Sequence, residues 1–154
     1  MKVVSYRLEL DELRHPILVH EKDINYKVNS LTHPEDVVNL CNKMMRLNSL
    51  AEENVIAICV DNKNSVLGIF RVSHGTANFA VCNPREVFIR ALVVGASGFF
   101  LVHNHPSGNP NPSKDDLDCM ERMKKTGNLI GVKLIDFLIV GENAAFSAQS
   151  GECI

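Results

Sequence analysis

His103 and His105 are separated by a single residue, and seven residues later Ser113-Lys114-Asp115-Asp116 supplies a hydroxyl and a carboxylate three positions apart. On an extended backbone, residues two apart point to the same side, so both imidazoles can face one ion without help from a turn. An aspartate in the first turn of a following helix can add a carboxylate. Two imidazoles and one carboxylate, with the fourth position left to water, is the donor set of a catalytic Zn2+ site. Such an ion lowers the pKa of its water towards ~7 and polarises a substrate carbonyl. Each part alone is ordinary. An H-x-H pair is most often two unconnected histidines, and Ser113-x-x-Asp116 is by itself a capping box. The conjunction is informative: a strand end delivers two histidines, and a loop stiffened by Pro106, Pro110 and Pro112 leads to a capped acidic helix.

Several elements must hold these residues. Residues 99–103 read as a buried strand, and Ser113 starts a helix whose apolar stripe is Leu117, Met120, Met123 and the stem of Lys124, ended by Gly127 and Gly131. Residues 132–140 form a last strong strand. Upstream, residues 54–60 and 66–72 flank the turn Asp61-Asn62-Lys63-Asn64 and predict a β-hairpin. Thr32-His33-Pro34-Glu35 predicts a helix start capped by Thr32, followed by the stripe Val37, Val38, Cys41, Met44, Met45 and Leu47 and ending near Asn48. Asn83-Pro84-Arg85-Glu86 predicts another helix start, with Val87, Phe88, Ala91 and Leu92 inward and Gly95 at its end. Residues 2–10 alternate like a half-buried strand, and residues 14–29 hold one or two short strands. Helices and strands alternate through one mixed sheet, an α/β or α+β fold with a single sheet flanked by helices. Residues 1–29 are expected to be an extension of extra strands, and residues 30–154 the principal domain.

Composition narrows the function. The chain has 154 residues, 45% hydrophobic and 22% charged, enough to bury a core without disulfides. A formal charge of −2 gives no general electrostatic reason to bind nucleic acid or an anionic membrane. No apolar run approaches the ~20 residues that cross a bilayer, and residues 1–13 lack the apolar block of a signal peptide. The five cysteines form no C-x-x-C pair, so a reducing cytoplasm fits; Cys153 is expected to be exposed and the others buried. His15, His20 and His33 read as surface residues, His74 could line a cleft, and Arg85 and Glu86 belong to a helix start.

The pattern H-x-H, seven residues, S-x-x-D resembles the signature of the JAB/JAMM (MPN-type) zinc metallopeptidases. The fuller form His103-Asn104-His105-Pro106-Ser107-Gly108 looks like the RadC-like bacterial branch, with flanking matches at Gly75-Thr76, residues 83–88, Gly131-Val132, residues 134–136 and residues 139–141. The resemblance covers about residues 30–147. It implies a cytidine-deaminase-like JAB/MPN architecture, with His103, His105 and Asp116 as zinc ligands. It further implies that Ser113 helps bind an oxyanion or the metal-bound water. A glutamate on an earlier strand would be the general base; counting back from Asp61, the matching position is Glu53. Glu52 is adjacent, but a one-residue shift turns it to the opposite face.

The expected protein is therefore a metallohydrolase of peptidase or isopeptidase type acting on a protein or peptide. Two other readings are a DNA-processing protein or metal-dependent nuclease, and a non-catalytic MPN binding module. The intact ligand set argues against the module. Charge argues against DNA, and the helical DNA-binding region that precedes this domain in full-length RadC-type proteins is not expected in this sequence, which weakens the carry-over of a DNA-repair role. Phe137 stands where RadC-like sequences often carry histidine, so any contact of that histidine is not expected.

Overall fold

In the computed structural model, which describes residues 1–76 and 82–154, the chain forms one mixed sheet with helices on both faces. In chain order the elements are β1 (Lys2–Leu10), β2 (Pro16–Asn25), α1 (Pro34–Met45), β3 (Asn54–Val60), β4 (Val66–His74), α2 (Pro84–Val93), β5 (Gly98–Asn104), α3 (Lys114–Ile130), β6 (Lys133–Val140), β7 (Ala145–Ser147) and β8 (Glu152–Cys153). Across the sheet the order is β2-β1-β4-β3-β5-β6-β7-β8. This is the α+β architecture expected of a JAB/MPN domain.

The centre of the sheet carries the argument. β3 pairs antiparallel with β4 and with β5, and β5 pairs parallel with β6 through the α3 crossover. All residues of β3 and β5 are buried, as expected of strands covered on both faces. Val37, Leu40, Cys41 and Met44 of α1 pack on one face against Ile56, Ile58, Phe100 and Val102. On the other face Val87, Phe88 and Ala91 of α2, and Cys119 and Met123 of α3, meet Val55, Ala57, Phe99 and Leu101. Phe88 and Phe99 meet edge to face at 5.3 Å, tying α2 to β5 with ~0.5–1.5 kcal/mol beyond the area buried. At the far side, buried Asp136 accepts from Ser147 Oγ at 2.6 Å and from Gln149 N at 2.9 Å, fixing β7 on β6.

The structure moves several expected boundaries. Residues 14–29 contain one ten-residue strand, β2, paired with β1, which itself lies parallel to β4. β4 runs two residues further, to His74. Thr32 does not cap α1: His33 holds the N-cap position without a side-chain bond, Pro34 fills the first helical position, where its missing N–H costs nothing, and Asp36 N donates to the His33 carbonyl instead. α1 ends at Met45, and Leu47–Ser49 form one 3₁₀ turn.

Two helix faces are rotated from the predicted stripes. Leu92 is 55% exposed, since it sits about 100° round the helix from Ala91, the centre of the buried face. In α3 the buried positions are Asp116, Cys119, Met123 and Gly127, while Leu117 is 44% exposed and Lys124 is exposed. Gly127 does not end this helix. It is the point where α3 crosses the next chain segment, and an added Cβ there would lie 2.5 Å from Val132 O. The helix stops at Gly131, in the left-handed region at φ 86°. Cys153 is exposed and the other four cysteines are buried, all free, as expected.

Candidate metal centre

Glu53 precedes β3, and His103 lies near the end of β5, directly across the ladder from Val55. The antiparallel register therefore carries Glu53 to the histidine end of β5. Backbone bonds fix it from the β4 side: Glu53 N donates to Thr76 O, and Gly75 N donates to Glu53 O, both at 2.8 Å. Glu53 is 8% exposed, whereas Glu52 is exposed and pairs with His74, also exposed, outside the centre. The period-two argument that separated Glu52 from Glu53 matches this placement.

His103 and His105 stand with rings perpendicular and centroids 5.0 Å apart. Beyond β5 the chain continues as an extended end, with His105 N donating to Val140 O at 2.9 Å. The loop then returns over residues 141–144: Gly108 N donates to His105 O, and Glu142 N donates to Gly108 O. Gly141 permits this crossing, since a Cβ there would stand 2.3 Å from Gly108 O, a backbone atom held by the loop's own bonds. Gly141→Ala is accordingly expected to destabilise the fold by ~1–3 kcal/mol, the usual range for overpacking, read as a lower urea midpoint.

Ser113 caps α3 with both halves of a capping box. Asp116 N donates to Ser113 Oγ, and Ser113 N donates to Asp116 Oδ2 at 2.8 Å. Ser113 Oγ also donates to Asp116 Oδ2 at 2.6 Å. Capping and site geometry are thus one arrangement, because the cap turns the Asp116 carboxylate towards the histidines. Asp116 is only 6% exposed. Its Oδ1 lies 3.1 Å from His103 Nδ1 and its Oδ2 3.4 Å from His105 Nε2.

These contacts define the imidazoles. His103 Nδ1 faces Asp116 and takes the ring proton, which leaves Nε2 as a lone pair. That nitrogen is buried without a hydrogen-bond partner, although Glu53 Oε2 is 3.2 Å away. His105 Nδ1 is 2.8 Å from Asn109 O, a carbonyl that can only accept, so in the neutral ring it is Nε2, the nitrogen facing Asp116, that carries the lone pair. Ring nitrogens fixed in this way by a carboxylate and a carbonyl are the usual surroundings of metal-binding histidines. Glu53, His103 and His105 each offer a ligand atom within 4.8 Å of the others, the one such group of three among the described residues. An orphaned, buried imidazole nitrogen facing the Glu53 carboxylate, on a ring whose other nitrogen faces Asp116, fits a divalent cation well. Asp116 borders that group instead of belonging to it.

Burial works against ionisation of Asp116, but His103, His105 and the Ser113 hydroxyl and N–H outweigh it and hold the carboxyl far below its ordinary range. In return, the Asp116 bond raises His105 above the ordinary imidazole value of 6.5, against an opposing effect of burial. A ligand imidazole must be neutral, so a metal has to displace the proton that Asp116 favours on His105. Zinc affinity is therefore expected to fall as pH drops through the raised His105 range, with protons released on binding. Calorimetric titration in buffers of different ionisation enthalpy measures both; pH-independent affinity with no proton release would contradict it.

The structure brings together all five residues expected at the site. The sequence reading did not anticipate Asn109, whose carbonyl sets the His105 tautomer, although the rigid P-S-G-N-P loop was the signal for it. His15, His20 and His33 are exposed, and Arg85 makes an exposed pair with Glu86 at the start of α2. Phe137 is buried in the core beneath α2 and α3.

Residues 31–153 match the family described as RadC-like JAB domain. A UPF0758 protein of Caldanaerobacter subterraneus subsp. tengcongensis is 40% identical over 120 residues, covering 78% of this chain and 51% of that protein. One from Alkaliphilus oremlandii is 36% identical over 143 residues, 93% of this chain and 60% of that protein. A third, from Clostridium beijerinckii, is 38% identical over 128 residues, 83% and 55% respectively. The chain thus spans between half and three-fifths of the length of these curated relatives.

Proposed function

This chain belongs to the RadC-like JAB domain family, and from that premise we propose that it is a zinc-dependent hydrolase of amide bonds, a peptidase or isopeptidase. The observation that carries the reading is the buried convergence of Glu53, His103 and His105, with Asp116 oxygens 3.1 Å from His103 Nδ1 and 3.4 Å from His105 Nε2. His103, His105 and Asp116 would hold the ion. Zinc bound there would polarise a substrate carbonyl and acidify a coordinated water.

The protein's own groups supply the rest. Glu53, almost excluded from solvent at the edge of the centre, accepts a proton from the attacking water and passes it to the leaving amine. Ser113 N–H and the Ser113 hydroxyl, both donated to Asp116 Oδ2, keep that carboxylate oriented, so that it does not swing away between turnovers. The oxyanion task expected of Ser113 requires its hydroxyl proton to leave Asp116, to which it donates here. Asp116 at Nδ1 of His103 and the Asn109 carbonyl at Nδ1 of His105 favour, in each neutral ring, the tautomer that offers Nε2.

One observation favours a second arrangement of the same residues. Because the converging ligand atoms are those of Glu53, His103 and His105, Glu53 would be the third ligand, and Asp116 would orient His103 through Nδ1. Asp116→Asn and Glu53→Gln separate the two: the variant that loses zinc has lost a ligand.

A peptide and isopeptide library incubated with the purified protein tests the function. Cleavage that is abolished by chelation and restored by zinc supports the proposal. Chelator-insensitive cleavage overturns it, and so would tight, strongly salt-dependent DNA binding with metal-dependent cleavage of DNA, the nuclease alternative. The net charge of −2 gives that alternative no help. Among the described residues no helix is long and apolar enough to cross a membrane. Five free cysteines suit a reducing cytoplasm, where we place the protein.

A further inference from the structure

Asn104, the residue between the two histidines, is 2% exposed, and its side chain reaches across to the chain entering β3. Its Oδ1 accepts from Asn54 N at 2.7 Å, and its Nδ2 donates to Glu52 O at 3.1 Å. Those two backbone groups are the immediate neighbours of Glu53 on either side. The last backbone register pair between β3 and β5 is Val55 with His103. Beyond it, the primary amide of Asn104 acts as a peptide group would, one donor and one acceptor, and extends the ladder past its backbone end.

We propose that Asn104 is a positioning residue for Glu53, clamping the backbone on both sides of that carboxylate and so setting its place against the two histidines. The inference rests on the reading that Glu53 acts in the metal centre, as base or as ligand. On a strand, Asn104 points away from the face that His103 and His105 present, so it acts through the β3 backbone and not on the ion. The opposite flank is tied independently, by Glu53 N to Thr76 O and Gly75 N to Glu53 O. The bracket at Glu52 is doubled, since Asn54 Nδ2 also donates to Glu52 O at 2.8 Å. The residue type follows from the pairing. Aspartate could accept from Asn54 N but would set an oxygen against the Glu52 carbonyl, and alanine would leave a buried N–H without a partner.

Clamping makes Asn104 and Glu53 energetically coupled, and a double-mutant cycle measures the coupling. Wild type, Asn104→Ala, Glu53→Gln and the double variant are each loaded with Co2+, and the visible bands of the ion are recorded. A stability role alone does not move those bands. Asn104→Ala is expected to keep one cobalt per chain and to shift the bands in the direction of Glu53→Gln. The double variant is expected to match Glu53→Gln alone. Asn104→Gln, which retains the amide on a longer arm, serves as the partial rescue and replaces Asn104→Ala if that variant does not fold. A wild-type spectrum in folded Asn104 variants, beside a shifted Glu53→Gln, overturns the clamp and leaves the function of Glu53 standing. An unshifted Glu53→Gln overturns both. Hydrogen exchange gives a second readout in the wild-type protein: the Asn54 amide is expected to exchange slowly, and rapid exchange would refute the clamp.

Discussion

Replacing Glu53 by glutamine is expected to leave about one zinc per chain while lowering peptide hydrolysis by ~10²–10⁴-fold, the range that a positioned general base contributes. The substitution keeps the size of the side chain and its ability to hydrogen-bond, and it removes only the capacity to take up a proton. Glu53 sits at the buried edge of the centre, 3.2 Å from His103 Nε2, so no other carboxylate among the described residues stands equally close to that nitrogen. Asp116 is committed elsewhere, to His103 Nδ1, His105 and the Ser113 cap. Loss of the zinc together with activity would transfer Glu53 to the ligand set and leave Asp116 as the group that orients His103. Metal analysis beside a cleavage assay distinguishes the two.

The second large effect is expected from His103→Ala. This residue contacts both carboxylates, Glu53 through Nε2 and Asp116 through Nδ1, and no other side chain at the centre is 8% exposed or less while joining the two acids. Without it the acids lose the imidazole between them, and a bound zinc would lose one of its proposed ligands. Zinc at ~1,000 times its Kd stabilises a protein by ~4 kcal/mol. For a chain of this size that corresponds to a rise in Tm of ~8–16 °C. The rise is expected for wild type and absent for His103→Ala, measured by thermal melts with and without zinc. An equal rise in the variant would move the ion to a different site.

The candidate metal centre is legible in the sequence because its parts lie on regular elements and together resemble the JAB/JAMM signature. His103 and His105 share a face by strand periodicity, and Ser113 with Asp116 reads as a capping box whichever chemistry it serves. Glu53 is reached only through the family resemblance, by counting back along β3 from Asp61, since β3 and β5 are brought side by side by an antiparallel pairing that no local pattern encodes. What local patterns missed follows the same division. The stripe read from Leu117, Met120 and Met123 gave α3 a face about 100° from the real one at Leu117. The helix is turned so that Asp116 faces the histidines, and Cys119, Met123 and Gly127 follow it inward. Hydrophobicity alone could not weigh a buried carboxylate above an exposed leucine.

Tertiary partners account for the rest. Asn104 looks like a spacer between two histidines until β3 lies beside β5, when its amide finds Asn54 N and Glu52 O. Gly127 reads as a helix end, yet it marks where α3 crosses residue 132. The parallel placement of β1 on β4, joining Ser5 to Ile69, links segments far apart in the chain and leaves no local trace in either.

The most direct test is the metal content of the wild-type chain, purified without added zinc and passed through gel filtration before elemental analysis. About one zinc per chain is the predicted result. No bound zinc, even after zinc is supplied and the excess removed, would contradict the account at its centre.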